Sequence, residues 1–200
     1  MRNLRLKRNN AKYHVTARVN RQELSLEDIR FKKMFLEVIS CAKKKYRFLL
    51  QNFCIMGNHI HLEITPLEAQ DLSKIMQWIL SVFAVRYNKI FKVKGHFWYD
   101  RFKSKIIETI TQYINTFLYI ANNPVRAGIA AHPLDFAFSG IYFYINKLHG
   151  PLDPPEEWMK IEIDSFLKHY EPFSNKDIDK EYSFQDKKPG RPRKTQKPIK

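Results

Sequence analysis

The feature that most constrains the fold is a pair of β-rich segments joined by two turn-forming residues. The segment YRFLLQNFCIM is followed by Gly57 and Asn58, and then by HIHLEIT, which ends before Pro66. This arrangement predicts an antiparallel hairpin with a tight turn. Because side chains alternate across a strand, His59 and His61 share one face of the hairpin. The aliphatic residues of the same strand share the opposite face, which we expect to lie in the core: Ile60, Leu62 and Ile64.

The flanking segments predict two further strands and three helices. We expect strands at residues 12–19 and at the end of HFWYDRFKSKIIE, and helices at about 26–45, 71–88 and 110–122. Asp71 is expected to cap the second helix. Along the chain the order is strand, helix, strand, strand, helix, strand, helix. This order predicts an α+β fold of the ferredoxin-like or RRM-like kind, in which helices pack on an antiparallel sheet.

The charge of the chain indicates a polyanionic partner. Thirty-five Lys and Arg residues against twenty Asp and Glu residues give a formal net charge of +15. Such an excess favours nucleic acid or an anionic membrane. The chain shows neither a basic amphipathic helix nor a lipidation signal, so we favour nucleic acid.

The sequence predicts a cytoplasmic, nucleoid-associated bacterial protein without a membrane partner. No segment approaches the run of about 20 apolar residues that a spanning helix needs, and the N-terminus has no apolar signal core. The two cysteines, Cys41 and Cys54, lack the CxxC spacing of a structural zinc site and are too few for a disulfide framework. We expect both thiols to be buried and reduced.

The histidines of the predicted hairpin are the first candidate functional residues. Two imidazoles on one strand face can share a metal ion, but a lone His-x-His pair is more often solvated or hydrogen-bonded. Glu63 follows on the same face. It could be a ligand, orient a histidine from the second shell, or lie in water, and we favour the last of these.

The predicted third helix carries the second group of candidates. We expect it to end before Pro124, because a residue that precedes proline disfavours α geometry. Tyr119 and Asn123 are four residues apart and therefore neighbours on its polar side. Tyr113 is a rival to Tyr119, and periodicity does not choose between them. The residues expected to pack inward are Ile110, Ile114, Phe117, Leu118 and Ala121.

Five segments, in this order and spacing, resemble the REP-associated tyrosine transposases, which belong to the HUH single-strand nucleases of certain insertion sequences. The segments are KYHVTARVNR, CIMGNHIHLEITP, LSKIMQWILSVFAVRYNKIF, GHFWYDRFKSKII and YIANNPVRAGI. The similarity spans about residues 12–130. PLDFAFSGIYFY and EEWMKIEIDSFLKHY are similar to the C-terminal extension of that family.

The resemblance implies a role for each candidate residue. His59 and His61 match the paired metal ligands, Tyr119 matches the catalytic tyrosine, and Asn123 matches the polar residue that completes the metal site. Glu63 stands where we expect an aliphatic residue in the family. The implied enzyme is a metal-dependent single-strand DNA endonuclease and strand transferase that uses Mg²⁺ or Mn²⁺ at hairpin-forming repeats.

The same resemblance implies that the tyrosine forms a 5′-phosphotyrosine intermediate and leaves a free 3′-hydroxyl. Relatives work as monomers or homodimers, and either state is open for this chain. The alternative function is a catalytically silent, domesticated DNA-binding regulator that keeps the fold and the basic surfaces.

Three basic elements are expected to contact DNA phosphates: the N-terminal RNLRLKR, a strand face near the proposed site and the C-terminal tail. The strand face carries Arg101, Lys103 and Lys105. The tail contains PGRPRK, whose Arg191 and Arg193 resemble an AT-hook or are simply part of a basic, solvated segment. The aromatic residues before the basic strand could stack on bases or be buried: Phe97, Trp98 and Tyr99.

The sequence predicts a division of the chain into three parts. Residues 1–130 form the catalytic domain, and residues 131–173 form an extension that packs on it. The polar, proline-containing composition of residues 174–200 predicts a disordered basic tail.

Overall fold

The computed structural model describes residues 10–170, which form a four-stranded antiparallel sheet and five α-helices. The strands are β1 (Lys12–Arg18), β2 (Phe48–Ile55), β3 (His59–Pro66) and β4 (Lys103–Ile107). Their order across the sheet is β2-β3-β1-β4, with every neighbouring pair antiparallel. This strand order with the βαββαβ connection is ferredoxin-like, so the predicted fold class is confirmed. The predicted hairpin is β2 and β3, and the amide of Met56 donates to the carbonyl of His59 at 2.9 Å across the turn.

The first two helices cover one face of the sheet. They are α1 (Ile29–Lys45) and α2 (Leu72–Phe91), and Asp28 and Asp71 cap them by accepting from backbone amides two residues later. Ile60, Leu62 and Ile64 are fully buried in the core with α1 and α2, as the alternation predicts. Apolar burial on this face is the main contribution to stability.

The remaining helices are α3 (Ile110–Arg126), α4 (Gly140–Ile145) and α5 (Glu157–Lys168). The third helix lies on the opposite face of the sheet from α1 and α2, where the side-chain amide of Asn52 in β2 donates to the carbonyl of Phe117 at 3.0 Å. A second apolar cluster joins α3 to α4 and α5 through Phe117, Ile141 and Ile163. The histidine side of β3 is therefore covered by the tyrosine-bearing helix.

Two predictions for the third helix are wrong. The helix continues through Pro124 to Arg126, because the missing N–H at position 124 removes only one bond and Ala127 again donates to the carbonyl of Asn123 at 3.0 Å. Ile110, expected inside, is 67% exposed because it is in the first turn, beyond the apolar cluster that Phe117 joins.

The segment before β4 also differs from the prediction. The strand begins at Lys103, so Arg101 lies in the preceding bend and not on a strand face. Of the three aromatic residues, Phe97 is buried in the core and the Trp98 indole donates to the carbonyl of Leu80 at 2.9 Å. Only Tyr99 is exposed, at 71%. Phe97 and Trp98 are therefore engaged in packing within the protein, and of the three rings only that of Tyr99 is exposed enough to stack on a base.

Within residues 10–170, no helix has the length and apolar character needed to cross a bilayer. Arg191, Arg193 and the whole predicted tail lie outside the described residues, as does the N-terminal RNLRLKR.

Candidate active site

His59 and His61 lie side by side at the start of β3, with ring centroids 5.0 Å apart. Nδ1 of His59 is 2.6 Å from Oδ1 of Asn58, and Nδ1 of His61 is 2.9 Å from Nε2 of His14. Each imidazole therefore uses its Nδ1 within the protein. The second ring nitrogen, Nε2, is the atom through which each could bind a ligand.

His14 was not among the residues expected in the site, although the structure places it at the centre. It is fully buried in β1, where it pairs with Glu63 of β3 and Lys105 of β4. Its ring is nearly parallel to that of His61, with centroids 5.2 Å apart. The signal in the sequence was a third histidine on the polar side of a strand, and the ferredoxin-like order makes that strand the neighbour of β3.

Tyr119 projects from α3 against these histidines. Its ring centroid is 5.6 Å from that of His61 and 5.8 Å from that of His14, in edge-on contacts. The guanidinium of Arg126, nearly two turns later on the same helix, lies 4.9 Å from the centre of the Tyr119 ring. Arg126 was not singled out by the sequence. The structure thus brings together Tyr119 and His61, two residues that are 58 positions apart in the chain.

Asn123 lies one turn after Tyr119 and is mostly buried. Its side-chain amide donates to the backbone carbonyl of Tyr119 at 2.8 Å. Because the nitrogen is engaged within the helix, the amide oxygen Oδ1 is the atom that could serve as a ligand.

Glu63 is fully buried, so the expectation that it lies in water is wrong. The physical reason is that α3 covers this part of β3. Nζ of Lys12 lies 3.5 Å from Oε1 of Glu63. Burial raises the pKa of the Glu63 carboxyl to about 8 in spite of the opposing charge of Lys12. Glu63 is therefore a protonatable group inside the protein near the histidines.

Tyr113, the rival to Tyr119, belongs to a different cluster. Its hydroxyl donates to Oε2 of Glu156 at 2.5 Å, and Nζ of Lys12 lies 3.2 Å from the centre of its ring. Burial raises the pKa of the Tyr113 phenol above its ordinary value, and the neighbouring carboxylates of Glu63 and Glu156 raise it further. Both effects oppose formation of the phenolate that a nucleophile would need.

Burial keeps the three histidines of the site neutral. It lowers the pKa of His14 to about 3 and that of His59 to about 4, and nearby Lys105 and Arg18, respectively, lower them further. The pKa of His61 is well below its ordinary value because of burial and the adjacent His14. Neutral imidazole is the form that binds metals.

The model of the IS200-like transposase family matches residues 7–123, more than half of the 200-residue chain. The chain belongs to this family. The family prediction made from the five sequence segments is therefore confirmed, and the matched range includes all four residues proposed for catalysis and metal binding.

The transposase fold is also that of a solved relative, described as a REP-associated tyrosine transposase bound to a REP hairpin. The two share 20% identity with a TM-score of 0.64, over 78% of this chain and 92% of the other. A protein from Deinococcus radiodurans proposed to be a transposase is similar over 61% of this chain and 97% of its own, with 15% identity and a TM-score of 0.42. No curated protein is significantly similar.

Two of the predicted DNA-binding residues of this transposase lie beside the site. Lys105 pairs with His14 and Lys103 pairs with Thr16 across the sheet. Paired residues in adjacent strands project to the same face, so both lysines lie on the face that carries the histidines. Arg18, which pairs with His59, adds a third cation to that face.

Proposed function

We propose that this transposase cleaves and rejoins single-stranded DNA at hairpin-forming repeats, with Tyr119 as the nucleophile. The observation that carries the proposal is the contact between Tyr119 and His61, whose ring lies beside that of His59. The Nδ1 atoms of both imidazoles are already engaged in hydrogen bonds within the protein. A phenol beside potential metal ligands and cationic side chains is suited to attack on a phosphodiester.

In the proposed reaction, Oη of Tyr119 loses its proton and attacks phosphorus. The bond from phosphorus to the 3′-oxygen breaks, and that oxygen takes up a proton from solvent, which offsets the proton that the phenol released, to become a 3′-hydroxyl. The products are a 5′-phosphotyrosine and a free 3′ end, and attack by a 3′-hydroxyl reverses the step and rejoins the strand. Arg126, which lies over the Tyr119 ring, is close enough to offset part of the phosphate charge.

The donor set fits a divalent cation such as Mg²⁺ or Mn²⁺. Among residues 10–170, no three His, Cys, Asp or Glu side chains are grouped so as to hold a metal. The proposed ligands are therefore Nε2 of His59, Nε2 of His61 and the amide oxygen Oδ1 of Asn123. When bound, the ion would polarise the scissile phosphate and stabilise charge on the leaving 3′-oxygen.

The proposed substrate follows from charge and from the solved relative. The net charge of +15 and the basic face of β4 favour a polyanion. The relative of known structure is bound to a REP hairpin. We extend this class of partner, a hairpin with adjacent single-stranded DNA, to the present chain. We assign the catalytic domain to residues 1–130 as part of this proposal.

The test uses two matched tyrosine variants. Purified protein is incubated with Mn²⁺ and 3′-end-labelled single-stranded hairpin DNA, because the 3′ fragment stays on the tyrosine, and the covalent adduct is measured on denaturing gels. Tyr119→Phe is expected to abolish the adduct. Tyr113→Phe, which removes a hydroxyl from the same helix, is expected to retain it.

An undiminished adduct in Tyr119→Phe would contradict the assignment, and its loss in Tyr113→Phe would then point to Tyr113. Binding of the DNA without any adduct in the wild-type protein, with or without metal, would instead favour the silent DNA-binding regulator.

A further inference from the structure

His14 makes a direct hydrogen bond to one proposed metal ligand. Its Nε2 is 2.9 Å from Nδ1 of His61, the ring centroids are 5.2 Å apart with planes within 19° of each other, and His14 is fully buried. Tyr119 makes edge-on contacts with both rings, with centroids 5.8 Å from His14 and 5.6 Å from His61. The contact therefore has a fixed geometry inside the protein.

Only one of these two nitrogens can carry the shared proton, because a hydrogen bond needs one donor and one acceptor. If Nε2–H of His14 donated, neutral His61 would carry its own proton on Nε2 and could not bind a cation there. If Nδ1–H of His61 donates, its Nε2 holds a lone pair directed away from His14. Only the second arrangement is compatible with metal binding.

We propose that His14 is a positioning residue that accepts a hydrogen bond from Nδ1 of His61 and thereby holds His61 in the tautomer whose Nε2 binds the metal. The inference rests on the proposed metal site. It adds a residue from β1, an element outside the hairpin, to the machinery of the reaction.

The neighbouring imidazole has an equivalent partner. Nδ1 of His59 lies 2.6 Å from Oδ1 of Asn58, while Nδ2 of Asn58 donates to the carbonyl of Gln22 at 3.4 Å. The bond to Gln22 orients the amide so that its oxygen, an acceptor, faces His59. Both ligand histidines are thus held by acceptors at Nδ1, which is the usual arrangement for metal-binding histidines.

The first measurement is made on metal-free wild-type protein. Long-range ¹H–¹⁵N NMR of the imidazoles is expected to show His61 protonated at Nδ1 and not at Nε2, and His14 not protonated at Nε2. A proton on Nε2 of His61 would overturn the inference. This result does not depend on whether the protein cleaves DNA.

The second measurement is Mn²⁺ affinity, obtained by calorimetric titration. His14→Phe keeps a ring of similar shape without an acceptor and is expected to weaken Mn²⁺ binding 10- to 100-fold, on the order found for lost outer partners of metal-binding histidines. His14→Gln supplies an acceptor and is expected to recover most of the affinity. Thr16→Val is the matched control, since Thr16 pairs directly with His61 on the same face and should leave affinity unchanged.

Wild-type affinity in His14→Phe would refute the positioning role. Equal losses of Mn²⁺ affinity in His14→Phe, His14→Gln and Thr16→Val would also refute this role, because they would indicate a general effect on packing. If the wild type bound no Mn²⁺, the metal part of the proposed function would fail, while the tautomer measurement would still decide the role of His14.

Discussion

Cys54 occupies the strand position opposite His61, on the side of the sheet that α3 covers. It is fully buried, and its thiol contacts the sulfur of Met56 at 3.4 Å. Burial raises the pKa of the Cys54 thiol, although Lys32 opposes the effect. Cys41 on α1 is half-buried. The two thiols are both free, but they differ in access and therefore in reactivity.

We expect a thiol reagent such as DTNB to modify Cys41 in the native protein and to leave Cys54 unmodified. Both should react in denaturant, because unfolding exposes Cys54 and removes the effect of burial on its pKa. A Cys41→Ser variant isolates the buried thiol and should release no chromophore in native buffer. Rapid native reaction of that variant would show that this side of the sheet is open to solvent.

At individual positions, the sequence predicted on which face of β3 each side chain lies, but it did not predict which other elements cover that face. Strand alternation is local, so the shared face of His59 and His61 could be predicted. The burial of Glu63 depends on α3, more than 40 residues later, and could not be predicted from alternation. The contact of His14 with His61 likewise depends on the pairing of β1 with β3, which is a property of the whole sheet.

A polar cluster connects β1, α3 and the beginning of α5. Nζ of Lys12 in β1 lies 3.5 Å from the Glu63 carboxyl and forms an ion pair with Glu156 at 3.0 Å, and Glu156 also accepts from the hydroxyl of Tyr113 at 2.5 Å. The edge of the Trp158 ring packs on Tyr113 at 5.4 Å. This cluster ties the extension after residue 130 to the helix that carries Tyr119.

A double-mutant cycle tests whether the bond between Tyr113 and Glu156 stabilises this arrangement. Tyr113→Phe and Glu156→Ala are each expected to lower the free energy of unfolding by about 1–2 kcal/mol, since a hydrogen bond to a charged group is lost. The double variant should lose less than the sum, by about 1 kcal/mol, because both changes remove the same bond. Urea unfolding measures the free energy of unfolding of the wild type, both single variants and the double variant. Strictly additive losses of this free energy would contradict the coupling.

At the level of elements, the sequence predicted the type and order of the strands and of the first three helices, but it did not predict where α3 ends. Capping by Asp71 involves nearby residues and was predicted correctly. Pro124 was expected to end α3, yet tertiary packing buries it and the helix continues for two more residues. This continuation keeps Arg126 in the helix and over the Tyr119 ring.

At the scale of the whole molecule, the two faces of the sheet differ: one face packs into the apolar core, and the other carries the candidate functional residues. The face packed on α1 and α2 is apolar. The face toward α3 carries the histidines and Glu63, and Tyr119 of α3 packs on the histidines. The order β2-β3-β1-β4 puts the basic strand next to the strand that carries His14. This neighbour relation follows from the ferredoxin-like topology, which is why the sequence could suggest that Lys103 and Lys105 lie near the site.

The position of these lysines makes a prediction about DNA binding. In a Tyr119→Phe background, which prevents adduct formation, the double variant Lys103→Gln/Lys105→Gln should bind single-stranded hairpin DNA more weakly and with a shallower dependence on salt. If each lysine contacts one phosphate, the slope of log K against log salt should fall by about 1.4 in magnitude, from about 0.7 per contact on a single strand. Fluorescence anisotropy at several salt concentrations measures this slope.

The control is Lys33→Gln/Lys74→Gln, which removes the same charge from exposed positions on α1 and α2, behind the opposite face of the sheet. An equal change of slope in the control would mean that net charge, and not the β4 face, determines binding.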